Sequence, residues 1–317
     1  MNNESLRIGT HTVELTHLDK VLFPGAPAFT KRDLIEYYRR IADTMLPYLA
    51  GRPLTLQRFP DGIEGEGFFQ KEIPGYFPAW VARVTVPKTG GSVTQVLCEN
   101  AATLVYLAEQ ACITPHVWLS RADRPRHPDR LIFDLDPPDD GFERVRAAAP
   151  LVRALLHDLG LASHVMTTGS RGLHVVVPLD RAADFDGVRG FARAVAAVLA
   201  QRHPRDLTTE ARLAKRQGRL YLDTARNAYA QTGVAPYAVR ARPGAPVATP
   251  LAWEELEERG LDARRYRLDN LFQRLERRGD AWREIARHAQ SLVGPQARLR
   301  DLMRAEGVAA ENGIANP

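Results

Sequence analysis

The sequence predicts a mixed α+β fold built around a β-α-β-β-α-β core, with a further α/β subdomain before it. The 317-residue chain has 44% hydrophobic and 26% charged residues, which are ordinary values for a globular protein. Short apolar runs alternate with segments of helical periodicity in the middle of the chain. No internal repeat or low-complexity linker interrupts it. We therefore expect one domain over residues 1–300, with subdomains at 1–130, 131–247 and 248–300, followed by a tail at 301–317.

The first subdomain contains a well-marked helix. Thr30 and Asp33 form a capping-box-like start, and Gly51 stands where a C-cap glycine would. Apolar residues recur between them at helical spacing: Leu34, Ile35, Tyr38, Ile41, Ala42, Met45 and Leu49. A strand is predicted next, over about Pro53–Phe59, and the glycine-rich stretch Pro60–Pro78 predicts turns.

The core elements follow in a fixed order. They are the strand Leu131–Asp136, the helix Phe142–Leu159, the strands Ser163–Thr167 and Leu173–Pro178, the helix Asp186–Arg202 and the strand Leu220–Asp223. Gly160 should end the first of these helices, and Pro150 should kink or restart it. The order is ferredoxin-like, or like an RNA-recognition motif. A loop-and-strand segment is expected over Ala225–Val247, helical patterns cover about Trp253–Val293, and the tail after Arg300 should fray.

Composition excludes several classes of protein. No apolar run approaches the roughly 20 residues that span a bilayer, so a membrane-spanning protein is not expected. The start, Met1–His11, lacks the features of a secretory signal, and we expect a cytoplasmic location. Cys98 and Cys112 form no metal-type pair and predict two buried thiols. The net charge of +5 favours polyanionic partners without proving one.

Three aspartates predict a metal site. Side chains alternate along a strand, so Asp134 and Asp136 project to the same side, about 7 Å apart. Such a pair is either a solvated strand end or a site for a hard cation such as Mg²⁺ or Mn²⁺. In the predicted topology the strand of Asp223 flanks theirs, and the strand of His174 lies on the other side. We expect all four side chains to share one sheet face, where three carboxylates suit two-metal chemistry on a phosphoryl group.

The turn from Thr168 to Gly172 has two interpretations. Its successive backbone amides could form an anion-binding nest, with Arg171 adding charge for a triphosphate. It could equally be a hairpin turn whose glycines supply positive φ angles. It is not a P-loop, because the GxxxxGK[ST] spacing is missing. His174, which follows the turn, could be a core histidine rather than a ligand.

Taken together, these segments resemble a known family. Leu131-Ile-Phe-Asp-Leu-Asp-Pro137, Thr168-Gly-Ser-Arg-Gly-Leu-His174 and Leu220-Tyr-Leu-Asp-Thr-Ala-Arg-Asn227 resemble the three motifs of archaeo-eukaryotic primase-type polymerases. The closer resemblance is to the polymerase domain of bacterial ligase D. Further matching segments are Asp19–Pro24, Arg58–Gly62, Phe68–Lys71, Gln231–Tyr237 and Arg240–Pro246, so the resemblance covers nearly the whole chain. It implies a primase-polymerase fold.

The resemblance implies a role for each matching residue. Asp134, Asp136 and Asp223 would be catalytic and hold the metal ions. The residues that would bind the incoming nucleotide are His116, Thr168, Ser170, Arg171, His174, Arg216 and Arg240. The residues that would contact DNA are Lys20, Lys31, Arg58, Phe68, Phe69, Lys71, Arg226 and Asn227. Among these, Lys20 and Lys31 match lysines that hold a 5′-phosphate, and the phenylalanine pair matches residues that stack on template bases.

The implied activity is template-directed nucleotidyl transfer. The enzyme would add nucleotides to a primer 3′-hydroxyl at gaps and broken DNA ends in non-homologous end joining, using two Mn²⁺ or Mg²⁺ ions. Its substrates would be ribo- or deoxyribonucleoside triphosphates and DNA carrying a 5′-phosphate, its protein partners Ku and a ligase, and its source bacterial or archaeal. No KxDG ligase site is present, since Lys31-Arg-Asp-Leu34 lacks the glycine, so we expect a polymerase module alone, either free-standing or part of a longer protein.

Two departures and two alternatives accompany this interpretation. Thr168 and Arg171 replace a serine and a lysine of the family turn, and Thr224 stands where the family commonly has an aromatic residue.

The first alternative is a haloacid-dehalogenase-type phosphatase, because Leu131–Asp136 resembles the opening motif of those enzymes. Such enzymes continue with Gly-Thr, whereas Pro137-Pro138 follows here. The second is a DNA-end-binding module without catalysis.

Overall fold

The computed structural model describes residues 4–308. Its strands are β1 (Glu4–Ile8), β2 (His11–Leu15), β3 (Val21–Phe23), β4 (Phe29–Thr30), β5 (Leu54–Arg58), β6 (Phe68–Gln70), β7 (Arg83–Lys88), β8 (Gly91–Val96), β9 (Cys112–Trp118), β10 (Arg130–Asp136), β11 (His164–Thr167), β12 (Leu173–Pro178), β13 (Leu207–Thr208), β14 (Leu220–Asp223), β15 (Thr232–Val234) and β16 (Pro250–Leu251). Its α-helices are α1 (Lys31–Leu49), α2 (Ala101–Glu109), α3 (Phe142–Asp158), α4 (Phe185–Arg202), α5 (Leu271–Arg278) and α6 (Val293–Glu306).

The chain divides into two compact units, each assembled from separate stretches of sequence. Among the described residues, the first unit comprises 4–123, 232–249 and 264–280. The second comprises 124–231, 250–263 and 281–308. The predicted subdomain at 248–300 is therefore shared between the two units, and each unit is described separately below.

The first unit contains a four-stranded sheet and the helices α1, α2 and α5. Its strand order is β15-β9-β5-β6, and all three pairings are antiparallel. Helix α1 begins as predicted, because Thr30 and Asp33 form a capping box, and Gly51 follows it at φ +69°. Helix α2 packs against α1. Within the segment predicted as turns, Phe68–Gln70 pairs with Leu56–Arg58 and forms the short strand β6.

The second unit contains the predicted β-α-β-β-α-β core. Its sheet has the order β13-β14-β10-β12-β11-β16, so β10 and β12 are central neighbours and β14 flanks β10, as the sequence predicts. Strands β13 and β16 extend the sheet at its two edges. Helices α3 and α4 pack against β10. The alternating residues Phe133 and Leu135 are fully buried, which fixes the register of the central strand.

The end of the chain departs most from the sequence prediction. Within the predicted helical stretch Trp253–Val293, the arginine-rich part 264–278 is helical only from Leu271, because residues 266–268 instead form extended backbone hydrogen bonds with residues 245–247. Single 3₁₀ turns at Trp253–Glu257 and Ile285–His288 take the place of continuous helix. Helix α6 runs on to Glu306, beyond the predicted start of the tail, and residues 309–317 of that tail lie outside the described residues.

Three smaller predictions concern Pro150, the two cysteines and membrane-spanning helices. Pro150 lies inside α3, which continues through it without a break. Both cysteines are buried and form no disulfide, and burial raises the pKa of Cys112 to about 12. None of the helices in the described part of the chain is long and apolar enough to cross a membrane.

Candidate functional site

Three acidic side chains share one face of the sheet in the second unit. Asp134 on the central strand β10 lies directly opposite Asp223 on β14 and His174 on β12. Asp136, two residues further along, lies opposite Tyr221. Because directly paired residues and residues two apart point to the same side of a sheet, all five belong to one surface, called the acidic face below. The predicted convergence of the three aspartates and His174 is confirmed.

Arginine side chains neutralise the acidic face. Arg216 donates to Asp136 with an Nη1–Oδ2 distance of 2.9 Å, and only 8% of the Arg216 side chain is exposed. Arg171 approaches the other oxygen of Asp136 at 3.3 Å. Arg226 Nε lies 3.7 Å from Asp134 Oδ2. These guanidinium groups offset the repulsion that neighbouring carboxylates would otherwise suffer.

Hydrogen bonds hold Asp223 in place, and His174 lies beside Asp134. Asp223 Oδ1 accepts hydrogen bonds from the backbone N–H of Ala225, at 2.7 Å, and from the Tyr221 hydroxyl, at 3.3 Å. His174 Nε2 lies 3.7 Å from Asp134 Oδ2. The His174 ring is buried, and its Nδ1 has no hydrogen-bond partner among the described residues.

Tyr221 is a residue of the acidic face that the sequence reasoning missed. Its ring lies under the Arg216 guanidinium, with 4.6 Å between Cζ and the ring centroid. Burial, and then the nearby charge and hydrogen bond of Asp223, raise the pKa of Tyr221 to about 12. The phenol is therefore a neutral donor at physiological pH. The signal was available in the sequence, because Tyr221 stands two residues before Asp223 on the same strand.

The donor set of the acidic face fits a divalent metal. No group of three or more His, Cys, Asp or Glu side chains in residues 4–308 is drawn together closely enough to enclose an ion. The three aspartates nevertheless lie side by side on adjacent strands and offer the carboxylate oxygens that Mg²⁺ and Mn²⁺ prefer. Two of the three already lie beside positive charge: Arg171 and Arg216 pair with Asp136, and Arg226 lies beside Asp134.

The turn between β11 and β12 lies close against β10. Thr168 Oγ1 bonds within the turn, accepting from the N–H groups of Ser170 and Gly172 at 3.3 Å. Gly169 has φ +63°. A Cβ added to Gly172 would stand 2.2 Å from the Leu135 carbonyl oxygen. Thr168 and the glycines therefore shape the turn, and Arg171 projects from it toward Asp136.

Two predicted nucleotide ligands belong to the first unit. His116 lies on β9, where the Phe69 ring meets it edge-on with 5.5 Å between the ring centroids. Arg240 is half-buried, and its backbone N–H donates to the Pro246 carbonyl. The other five, namely Thr168, Ser170, Arg171, His174 and Arg216, belong to the second unit.

The two lysines predicted to hold a 5′-phosphate differ in their surroundings. Lys20 pairs with Asp61 at 2.6 Å, and 38% of its side chain is exposed. Lys31 is buried; its Nζ donates to Glu109 Oε1 and to the Thr16 carbonyl, both at 2.8 Å. A direct phosphate contact does not fit this enclosed ammonium group. Because the Lys31 N–H also donates to the Lys20 carbonyl, the residue supports the turn that presents Lys20.

Asn227 is also buried. Its side chain bonds to both the N–H and the carbonyl of Ile132 on β10, at 2.9 and 2.7 Å, and to the carbonyl of Thr224. These bonds attach the 3₁₀ turn after β14 to the central strand, so the predicted DNA contact does not fit Asn227. Thr224 is buried in the same turn, and Arg226 is half-buried.

An aromatic and basic surface occupies the edge of the sheet in the first unit. Phe68 and Phe69 are 44% and 61% exposed, and as successive residues of β6 they point to opposite sides of the strand. The Arg58 guanidinium lies 5.5 Å from the centroid of the Phe68 ring. Lys71, just after the strand, is exposed. This is the exposure expected of residues that stack on unpaired bases.

Comparison with known proteins decides the family. A family model described as "LigD, primase-polymerase domain" matches residues 30–282. The chain belongs to this family. A solved structure described as the polymerase domain from Mycobacterium tuberculosis ligase D in complex with DNA matches with a TM-score of 0.82 and 35% identity, covering 88% of this chain and 99% of that one.

Curated relatives agree with this assignment. The chain is 37% identical over 278 residues to a multifunctional non-homologous end joining DNA repair protein LigD of M. tuberculosis, 33% over 300 residues to LigD of Pseudomonas aeruginosa and 32% over 281 residues to a bifunctional LigD of Bacillus subtilis. The matches cover 84%, 92% and 88% of this chain but only 36%, 35% and 45% of those relatives. A primase-polymerase domain of this type is a nucleotidyltransferase, and metal-dependent transfer is the chemistry that it suggests.

The fold does not favour the phosphatase alternative. A Rossmann-like sheet is mostly parallel, with its catalytic strand between parallel neighbours. The strand of Asp134 has antiparallel neighbours on both sides, β12 and β14.

Proposed function

We propose that this chain is a template-directed nucleotidyltransferase that extends primer 3′-hydroxyls at gaps and broken DNA ends during non-homologous end joining. The observation that carries the proposal is the register of the second-unit sheet, which brings Asp134, Asp136 and Asp223 onto one face. Ku and a ligase are the partners that this role implies, and the cytoplasm is the expected location.

The proposed reaction is attack of a 3′-hydroxyl oxygen on the α-phosphorus of a nucleoside triphosphate, with pyrophosphate as the leaving group. Asp134, Asp136 and Asp223 would hold two divalent ions, Mn²⁺ or Mg²⁺, whose chemistry when bound is to stabilise the charge on the attacking and leaving oxygens. Asp223 is oriented for this role by its bonds to Tyr221 and Ala225.

The turn beside the acidic face would bind the triphosphate. Ser170 and Arg171 offer a hydroxyl and a guanidinium at the tip of the turn, while Thr168 holds its shape. His174 is buried beside Asp134 and would orient that carboxylate. Arg216 contributes positive charge close to where the phosphates would lie. Nucleotide contact by His116 and Arg240 remains a prediction from the family resemblance.

The first unit would supply the contacts to DNA. Lys20 is the candidate for a 5′-phosphate, and its exposed pair with Asp61 can open at little cost. Phe68 and Phe69 are candidates for stacking on template bases, with Lys71 nearby in sequence. In the second unit, Arg226 is a further candidate for a backbone phosphate.

Primer extension on a 5′-phosphorylated gapped duplex tests the proposal. Ribo- and deoxyribonucleotides are supplied separately with Mn²⁺ or Mg²⁺. We expect Asp134→Ala to lower the incorporation rate by at least about 100-fold, because a carboxylate of the metal site is lost. Asp158→Ala, which removes an exposed acid at the end of α3, is the matched control and should extend normally. Undiminished extension by Asp134→Ala would remove the proposed metal role.

A DNA-end-binding module without catalysis is not favoured, because the family model that matches residues 30–282 is a primase-polymerase domain. It predicts binding of gapped DNA but no incorporation by the unaltered chain with either Mn²⁺ or Mg²⁺. Incorporation that depends on Asp134 would exclude it.

A further inference from the structure

A third exposed aromatic residue, Tyr76, lies on the Phe68 side of β6, where both contact Arg58. Of the six large hydrophobic side chains that are exposed in the described residues, Phe68, Phe69 and Tyr76 fall within one nine-residue segment. Tyr76 is 61% exposed, as much as Phe69. Clustered exposed aromatic surface is uncommon without a binding role.

Arg58 links Tyr76 to Phe68. Its Nη1 donates to the Tyr76 hydroxyl at 2.9 Å, and its guanidinium lies 5.5 Å from the Phe68 ring centroid. Three more hydrogen bonds fix the group, to the carbonyl and side chain of Gln110 and to the side chain of Gln70. With four hydrogen bonds inside the protein, Arg58 serves to position the two rings while leaving positive charge beside them.

A closed turn and buried aromatic rings also hold Tyr76 in place. It stands in the turn Pro74–Phe77, closed by the Phe77 N–H donating to the Pro74 carbonyl at 3.1 Å. Its ring meets Phe77 edge-on at 5.3 Å, and Phe77 meets Tyr106 at 5.0 Å. Phe77 and Tyr106 are both buried. An exposed ring held in this way loses little conformational entropy when a flat ligand stacks on it.

We propose that Tyr76, Phe68 and the Arg58 guanidinium that links them form a stacking subsite for a further unpaired base of a DNA strand. The subsite rests on the proposed function, because it extends the template contacts attributed to Phe68 and Phe69. Aromatic faces beside a cation accept any base, since each base has a π-face and the strand carries negative charge. The subsite therefore contributes affinity for single-stranded overhangs without sequence preference.

Binding to DNA with overhangs of different length tests the subsite. Fluorescence anisotropy is measured without nucleotide or metal, on 5′-phosphorylated duplexes that are blunt or carry one to four unpaired template bases. We expect Tyr76→Ala and Tyr76→Leu to bind the longer overhangs about tenfold more weakly, the loss of one stacked base. Tyr76→Phe should bind within about twofold of the unaltered chain, and Val293→Ala, which truncates another exposed apolar residue, should change nothing.

Two outcomes would overturn the proposal. One is equal affinity of Tyr76→Ala and the unaltered chain for every overhang. The other is a loss in Tyr76→Phe as large as in Tyr76→Ala, which would show that only the bond to Arg58 matters. Photocrosslinking of 5-iododeoxyuridine at each unpaired position gives a test on the unaltered chain. A crosslink to Tyr76 supports the subsite, and crosslinks confined to Phe68 and Phe69 contradict it.

The measurement separates this subsite from the polymerase proposal. Asp134→Ala should keep the same dependence on overhang length, because binding needs no chemistry at the acidic face. If binding depends on Tyr76 while no variant incorporates nucleotide, the subsite stands and the polymerase proposal fails. If extension proceeds and binding ignores Tyr76, the reverse holds.

Discussion

The sequence predicts the positions of the aspartates on the acidic face of the second unit, but it does not predict the surroundings of Lys20 and Lys31 in the first unit. Asp134, Asp136 and Asp223 lie where strand alternation and topology place them. The resemblance gives Lys20 and Lys31 one shared role, yet 38% of the Lys20 side chain is exposed, whereas Lys31 is buried against Glu109. The alternation of side chains along a strand is set by neighbouring residues, whereas the surroundings of the long Lys31 side chain depend on Glu109, a partner 78 positions away.

The largest loss of stability should come from substitution of Lys31. Lys31→Ala leaves the Glu109 carboxylate buried without its counter-charge, and we expect the free energy of unfolding to fall by about 3–5 kcal/mol. Urea unfolding followed by circular dichroism measures it. The double variant Lys31→Met/Glu109→Leu is the control, and it should recover most of the loss because apolar residues of similar volume replace the pair.

A different result for Lys31 would change the comparison between the two lysines. If Lys31→Ala were as stable as the unaltered chain and lost only its preference for 5′-phosphorylated DNA, the residue would be a phosphate contact after all. The buried pair would then have to open on binding.

Gly172 tests the tight packing behind the acidic face. In Gly172→Ala the new Cβ meets the Leu135 carbonyl oxygen at 2.2 Å, so the turn or β10 must shift. We expect a loss of about 1–3 kcal/mol in the free energy of unfolding, typical of overpacking, together with slower primer extension because the shift displaces the acidic face. Gly75→Ala is the control, since its Cβ would meet nothing within 4 Å. Equal stability of the two variants would contradict the close approach.

Features set by neighbouring residues could be predicted from the sequence, whereas features that depend on distant contacts could not. Strands such as Leu173–Pro178 and Leu220–Asp223 are found where they are predicted, because apolar runs bounded by turn residues define them. The structure has less helix beyond Trp253 than the sequence predicts. Residues 266–268 instead form backbone hydrogen bonds with residues 245–247, a pairing that only the tertiary structure reveals. Tyr221 could have been found by extending the two-residue alternation back from Asp223. The burial of Asn227 could not, because it depends on bonds to Ile132.

Lys20 provides the smallest effect on stability and the sharpest contrast with Lys31. Its pair with Asp61 is exposed, so Lys20→Ala should change the free energy of unfolding by no more than about 1 kcal/mol. Its affinity for gapped DNA should fall about three- to tenfold when the 5′-phosphate is present and much less when it is absent. One lost phosphate contact should also reduce the slope of log affinity against log salt by about 1. Arg39→Ala, which removes another exposed ion pair, that with Glu36, is the control. An equal loss of affinity with and without the 5′-phosphate would mean that Lys20 contributes only nonspecific electrostatic attraction. The turn supported by Lys31 would then bind no specific phosphate.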